Sequence, residues 1–529
     1  MNEKTTYLNQ QTISEYIIQE LIKLECKHLI GIPGTNCAPF YNTIDRTEGM
    51  EYIIPTSELE VGYIADGYAR NGQIAAICVA YGVGTLSLTN PLAGAYAEKL
   101  PMILINGGPT TEDEAIESKY GSLFLHSTGV EANDYKVFKN ITAFATVIKH
   151  PAEAKQMIDE ALKIAIEKSQ PVYLEVPSDF WDLPIQSDPQ RGDADYFLSE
   201  LKTVVVNKLQ EKFINKTSIE KVEIMSEVIN DPFKDVVLIV GAEVIRKNIS
   251  KEVLALIRLL NIPFVTTPLS KSFESEFEGS FKMQKDDKEE SHRTFVNADG
   301  LLYKGCLDTI SFLDKDLKIT LEKAQYFLSV GNVWGIDNKK FIVDNYSKMI
   351  EVGYNQGRIG YKTFENLGDL KTVFSEIGTA ITSVNVMEIS EKFLKDSVQH
   401  NRQENTLTHD ELHATVEEFV TSTSCPEILF NVDACLAMFW GTEIKLNQGS
   451  QYISNPSWLS IGHSAPASIG HYLKNKKAPL IVTGDGGFQM VSQTYSTMVK
   501  LGVPALIIVM NNSVLGIEEY LLDPKSKRN

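Results

Sequence analysis

Cysteine is scarce and poorly placed for paired chemistry. The chain has six, at positions 26, 37, 78, 306, 425 and 435, with no CxxC and no His cluster of metal-ligand spacing. A disulfide framework and a thiolate-rich zinc site are therefore not what organises it, and reduced thiols in a cytoplasmic protein are the simplest reading. Long apolar runs are missing too, since none approaches the ~18 residues a membrane helix needs. The polar start MNEKTTYLNQQ lacks the charged-then-apolar pattern of a secretory signal, which again predicts a cytoplasmic protein. Basic residues are outnumbered, with 50 Lys and Arg against 69 Asp and Glu, for a net charge of −19. That balance argues against nucleic-acid and anionic-membrane partners. An anionic substrate stays open, because the field of a pocket is local. Low-complexity tracts and short-period repeats are absent as well.

What is present is an alternating α/β pattern, on 529 residues with 43% hydrophobic and 22% charged content. The length exceeds one hydrophobic core and points to about three domains. Thr12–Ile13–Ser14–Glu15 has the capping-box form, and Ile13, Tyr16, Ile17, Leu21 and Leu24 follow at helical spacing. Strand-like runs at 28–32, 51–54, 74–81, 101–106 and 172–176 are separated by helical stretches such as 58–70 and 152–168. Such alternation predicts a parallel sheet covered on both faces, in a first domain ending near Trp181–Pro184. Residues 186–235 turn polar, as a linker and surface helix should. A second alternation has runs at 236–241, 262–267, 325–331 and 349–353, interrupted at Phe273–Asn297 by what reads as an irregular excursion. After a polar stretch at 391–412, a third alternation has runs at 427–432, 479–484 and 504–510. The expectation is three successive doubly wound parallel-sheet domains, at 1–185, 186–375 and 376–529.

The third domain carries the most specific signal. Gly484–Asp485–Gly486 closes the run PLIVTGDG, and 24 residues later Asn511–Asn512 closes PALIIVMNN. A helix at about 489–502 is expected between them. Either dipeptide alone is an ordinary loop. Together they end two strands joined by one crossover, so both loops lie at the C-terminal edge of one sheet, where α/β folds bind ligands. There the Asp485 carboxylate, the Asn512 amide and a backbone carbonyl, that of Val514, supply hard oxygens to part of a Mg²⁺ shell that phosphate completes. Gly484 and Gly486 let the backbone approach a diphosphate closely.

This GDG-x24-NN pattern resembles the signature of thiamine-diphosphate enzymes, and the remaining blocks are similar to one branch, the pyruvate and indolepyruvate decarboxylases. PTSELEVGYIADGYAR (55–70) resembles the segment bearing that family's cofactor-activating glutamate, and YGVGTLSLTNPLAGAYAEKLP (81–101) the block after it. SWLSIGHSAPASIG (457–470) resembles the segment under the aminopyrimidine, and NNSVLGIEEYLLDPK (511–525) the block following the metal motif. The likeness runs the length of the chain in the right order. It implies pyrimidine-binding, central and diphosphate-binding domains, with thiamine diphosphate and Mg²⁺ as cofactors. It also implies a homodimer or homotetramer in which the first domain of one subunit meets the third of another. By the same resemblance Glu58 hydrogen-bonds N1′ of the aminopyrimidine, Leu459 offers its carbonyl to the 4′-amino group, and Ile461 is the wedge between the two rings. Glu58 begins a helical stretch in an apolar segment, so a buried carboxyl is expected there. His463, two residues past Ile461, is a substrate contact or a hydrogen-bonded structural group.

On the substrate side the chain departs from those relatives. The family's Gly-Leu-Pro-Gly-Asp reads Gly31–Ile32–Pro33–Gly34–Thr35 here, and its His-His pair reads His126–Ser127, while Glu518 keeps the last carboxyl. The aligned acid–base set is thus Thr35, His126, Ser127 and Glu518. Loss of CO₂ from a 2-oxo acid needs mainly a poorly solvated pocket and the cofactor's electron sink. Protonating what remains needs positioned donors, each worth roughly 10²–10⁴-fold. The expected function is non-oxidative decarboxylation of a 2-oxo acid to an aldehyde and CO₂. One alternative is a carboligase that turns the decarboxylated enamine onto a second carbonyl acceptor, giving a 2-hydroxyketone or acetohydroxyacid. The other is a catalytically weak cofactor-binding relative.

Overall fold

The helix Ile13–Lys23 opens as its sequence dictates, with Thr12 Oγ1 accepting from Glu15 N at 3.2 Å and Glu15 Oε2 accepting from Thr12 N at 2.8 Å. The computed structural model describes residues 11–185, 236–260, 262–273, 280–285, 288–293, 303–307, 315–334, 338–353, 356–365, 370–371, 373, 407–422, 425–447 and 449–512. The expected linker and surface helix at 186–235, like most of 391–412, lie outside the described residues. The chain divides into two compact units. One is Met1–Leu209 with Ala465–Lys476 and Gln489–Pro504, and the other holds the rest.

In the first unit the strands β1 (His28–Gly31), β2 (Glu51–Ile53), β3 (Ala75–Ala80), β4 (Met102–Gly108), β5 (Phe144–Val147) and β6 (Val172–Pro177) form one sheet. All pairings are parallel, in the order β2-β1-β3-β4-β6-β5. The interior strands are buried on both faces, as their mostly apolar sequences require. β5 was not foreseen. It is a short, half-buried edge strand without a distinct hydrophobic period. From β1 the chain turns one way to β2 and the other way to β3, so the switch point lies at the C-terminal ends of β1 and β3. A helix from the far end of the chain, Ser464–Asn475, packs on the helix Glu58–Ala69. A Cβ on Gly67 would overlap the Ala467 carbonyl, and one on Gly470 the Ile64 carbonyl, so the backbones touch at two glycines. Arg70 closes the same helix in a buried cluster, bonding Asp66 and Glu98 at 2.6 Å each.

In the second unit a mixed sheet is built from β7 (Val236–Val240), β8 (Phe264–Thr266), β11 (Tyr303–Cys306), β12 (Tyr326–Val330), β13 (Met349–Gly353), β14 (Gln356–Ile359) and β15 (Lys362–Glu365). Its order is β11-β8-β7-β12-β13-β14-β15, parallel except for the last two strands. The segment read as an irregular excursion contains an antiparallel pair, β9 (Ser280–Lys285) and β10 (Lys288–Arg293). The strands SFKMQK and KEESHR are too polar to show a strand's hydrophobic period, which is why the reading was wrong there. At the switch point of this sheet the backbone fills its own crevice. Glu243 N donates to Gly331 O at 3.0 Å, and a Cβ on Gly241 would overlap the Gly331 carbonyl.

The remaining sheet has β16 (Ile428–Val432), β17 (Gln451–Ile453), β18 (Ala478–Gly484) and β19 (Leu506–Met510), all parallel, in the order β17-β16-β18-β19. Its switch point lies at the ends of β16 and β18. The single helix expected at about 489–502 is corrected to two, Asp485–Met490 and Thr494–Leu501. The first begins at Asp485 itself, whose Oδ1 accepts from Gly486 N at 3.0 Å, so one turn is used up before the second helix starts. Three parallel-rich α/β sheets in succession agree with the expected architecture. No described helix is long and apolar enough to cross a membrane.

Candidate functional site

Glu58 stands at the first turn after β2, and its direction is set by its neighbours. Ser57 caps the helix by accepting from Glu60 N at 3.3 Å. Glu60 turns back, and its Oε2 accepts from Thr56 N at 2.9 Å and Thr56 Oγ1 at 2.6 Å. Ser57 Oγ also accepts from Gln493 Nε2 at 3.3 Å. The expectation of a buried Glu58 is corrected by this geometry. Glu60 is the buried carboxylate, because the third helical position points back over the cap, while Glu58 is half-buried.

The other predicted residues of the first unit lie along the same C-terminal sheet edge. After β1, Gly34 presses on Ala80, and Thr35 begins a single 3₁₀ turn, exposed at the edge. Trp181 Nε1 holds that turn by donating to Asn36 O at 2.7 Å. His126 is exposed with a left-handed backbone, φ +67°, and its carbonyl abuts the left-handed Gly82 just past β3. Such a conformation in a non-glycine residue persists only where surroundings enforce it. Ser127 is not free to act as a replacement acid. Its hydroxyl donates to Glu117 of the helix Thr111–Tyr120 and accepts from Gly129 N at 2.9 Å.

Beneath this edge runs a buried polar chain that the sequence reading missed. Asp134 Oδ2 accepts from Gly82 N at 2.9 Å, from Thr85 Oγ1, and from Asn106 Nδ2 at 3.4 Å. Asn106 Nδ2 also donates to Tyr173 OH at 2.8 Å, and Tyr173 donates on to Glu175. Burial pushes Glu175 up to about 8, with Asp134 and Glu114 adding to the effect and the Tyr173 bond opposing it. One signal was available: Glu175 is the lone acid in the otherwise apolar strand VYLEVP.

In the second unit the loop after β17 presents an apolar shelf. Leu459 and Ile461 are 39% and 38% exposed, unlike the buried apolar residues of the neighbouring strands. Leu459 has φ +56°, and Gly462 follows at +82°. Leu459 N donates to Asn455 O at 2.9 Å, and Ser460 N to Asn455 Oδ1 at 3.3 Å. His463 is fully buried in the chain.

The metal motif lies at the ends of paired strands, with Gly484 opposite Met510 in register, so Asp485 and Asn512 follow neighbouring strand termini. Asp485 is half-buried and Asn512 exposed. A Cβ on Gly486 would meet nothing within 4 Å, and one on Gly484 only Cys435 at 4.0 Å, so the backbone is bare enough for phosphate. Among the described residues no three His, Cys, Asp or Glu side chains converge on a point. A carboxylate and an amide beside open backbone suit a hard cation that takes its other oxygens from phosphate and water, so these residues fit Mg²⁺ and a diphosphate. Val514 and Glu518 lie outside the described residues.

A further residue binds this half together. Asp433, just past β16 and 2% exposed, accepts from Gly462 N at 2.9 Å, Ser464 N at 3.2 Å and Thr483 Oγ1 at 2.9 Å. Nothing in the sequence marks it apart from an Asp closing an apolar run.

Comparison with known proteins bears on both halves. The family model described as thiamine pyrophosphate enzyme, N-terminal TPP binding domain, matches residues 11–129, and the corresponding C-terminal TPP binding domain matches 434–529. Over 522 aligned positions the chain is 26% identical to the pyruvate decarboxylase of Neurospora crassa, covering 97% of this chain and 83% of that protein. Identity to the pyruvate decarboxylase of Kluyveromyces marxianus is also 26%, covering 97% and 85%. The pyruvate decarboxylase of Candida albicans is 26% identical, with 99% and 87% covered.

Proposed function

We propose that this chain belongs to the thiamine-diphosphate-dependent 2-oxo acid decarboxylase family, which its two matched TPP binding domains and its likeness to pyruvate decarboxylases support, and that it carries out Mg²⁺-dependent, non-oxidative decarboxylation of a 2-oxo acid to an aldehyde and CO₂. The observation that supports this most is the bare-backbone strand end at Gly484–Gly486, with Asp485 and Asn512 at neighbouring strand termini. Asp485 and Asn512 would hold the metal, with the Val514 carbonyl as the third protein donor expected from the sequence. When bound, the cofactor supplies the electron sink for departing CO₂. Ile461 would be the wedge between its two rings, and the Leu459 carbonyl would accept from its 4′-amino group. Glu58 holds and returns the proton at N1′. His126 and Glu518 are the ionisable groups left in the aligned set to deliver protons to product, and Thr35 brings none to it. The protein is proposed to act in the cytoplasm as a homodimer or homotetramer.

One observation favours a second reading. Ser127, in place of a histidine, has its hydroxyl committed to Glu117, so proton delivery to product is short of a donor and coupling to a second carbonyl gains time. The test is to supply pyruvate, or a branched 2-oxo acid, with and without an acceptor aldehyde, and to quantify CO₂, aldehyde and coupled product. Aldehyde and CO₂ released one to one support the decarboxylase. Release of CO₂ with a 2-hydroxyketone and little aldehyde supports the carboligase, and Thr35→Asp with Ser127→His should then raise aldehyde per CO₂. No CO₂ from any 2-oxo acid overturns both readings.

A further inference from the structure

The sheet β17-β16-β18-β19 offers two segments to the cofactor from different parts of the sequence, and a single carboxylate touches both. Asp433 stands at the switch point between β16 and β18, where its own N donates to Val482 O at 2.9 Å. Its Oδ1 accepts from Ser464 N and its Oδ2 from Gly462 N, which fixes the far end of the shelf that begins at Leu459. Oδ2 also accepts from Thr483 Oγ1, one residue before Gly484 and two before Asp485. The helix Asp485–Met490 comes so near that a Cβ on Gly487 would overlap Oδ2. Three donors converge on two oxygens that are buried from water. An amide could not replace the carboxylate, since its NH₂ would face a donor. The shelf needs such a clamp, because Leu459 and Gly462 both hold left-handed backbones and the Leu459 carbonyl points where that strained turn aims it.

We propose that Asp433 is a positioning residue that locks the shelf under the aminopyrimidine to the metal-bearing strand end, so that the two ends of the cofactor are held at a fixed separation. This rests on the cofactor reading above. The frame acts through Gly462, Ser464 and Thr483, and Asp433 itself touches neither metal nor cofactor. Groups that orient ligating residues from behind typically affect affinity by about 10–100-fold when changed. Asp433 should do so at both ends at once.

The experiment uses the full chain with Mg²⁺ in excess, and measures thiamine diphosphate affinity by calorimetry and hydrogen–deuterium exchange at C2 of the bound cofactor at saturation. Asp433→Asn should weaken affinity by about 10–100-fold, and slow exchange at saturation although Glu58 is intact. Slowed exchange is the decisive readout, because mere loss of binding strength disappears once the site is filled. Thr483→Val removes one donor and should shift both measurements the same way by less, which keeps the test available if Asp433→Asn does not fold. Folded variants with parental affinity and exchange would overturn the proposal. So would weakened affinity with parental exchange, because the shelf would then be independent of Asp433. If the parent binds no thiamine diphosphate with Mg²⁺, the cofactor reading itself fails, and the proposal falls with it.

Discussion

Glu175 shows what a single residue can and cannot announce. It sits in a strand whose other members are apolar, bonded through Tyr173 and Asn106 to Asp134, with Glu114 the remaining acid that raises it. Its displacement from 4.5 to about 8 has a definite sign for stability. Between those values the unfolded chain has released a proton that the folded chain keeps. The stabilisation linked to this group is complete below about 4.5, falls as pH rises, and is lost above about 8. Glu175→Gln keeps the shape and has no proton to lose. Its unfolding free energy relative to the parent should therefore improve steadily from pH 4.5 to 8 and level off beyond. Denaturant titrations across that range measure it, and a difference independent of pH would show that Glu175 ionises normally. Asp433 and Asp134 were illegible for a related reason. Each looks like an ordinary turn Asp, and its role exists only through partners 28 to 52 residues away. The placement of Asp485 and Asn512 was legible because each follows an apolar run, and the structure sets those runs side by side as neighbouring strands with open glycines at one end.

At the scale of elements, the helices and buried strands follow directly from periodicity, caps and unbroken apolar runs. Those signals come from local backbone geometry and from burial on both faces. β5 lacks such a signal because it is a half-buried edge, and β9 and β10 because their pairing is local and polar. The break between Asp485–Met490 and Thr494–Leu501 is illegible for another reason, namely that a carboxylate capping its own helix resembles a loop aspartate. Sheet order cannot be read from periodicity, since it records pairings between distant segments. The contact between Glu58–Ala69 and Ser464–Asn475 is of this kind, and it gives a sharp test. Gly470→Ala drives a methyl group onto the Ile64 carbonyl, which is backbone and cannot rotate away. A loss of ~1–3 kcal/mol or more is expected, as for overpacked cores. Gly486→Ala adds the same methyl where nothing lies within 4 Å, so thermal unfolding should barely change. Equal melting temperatures for the two variants would show that the helices do not meet at these glycines.

For the whole molecule, the question is how many chains make one active site. The matched family segments occupy the two ends of this chain, residues 11–129 and 434–529. The residues proposed to act on the cofactor divide the same way, with Glu58 in the first segment and Asp485 with Asn512 in the last. If each site draws its first segment from one subunit and its last from another, two inactive variants should repair each other. Glu58→Gln and Asp485→Ala, each alone, should be nearly inactive, the first through proton transfer and the second through metal binding. In a mixed dimer one site carries both defects and the other carries neither. Co-expression with random assembly should therefore restore about a quarter of parental activity, because half the dimers are mixed and each has one intact site. If each site were built within a single chain, every site would keep one defect, and mixing would restore nothing. Sedimentation of the mixture at assay concentration separates these outcomes from a failure to associate. A mixture that sediments as dimers and stays inactive refutes the shared site. A monomer with full parental activity refutes the assembly altogether.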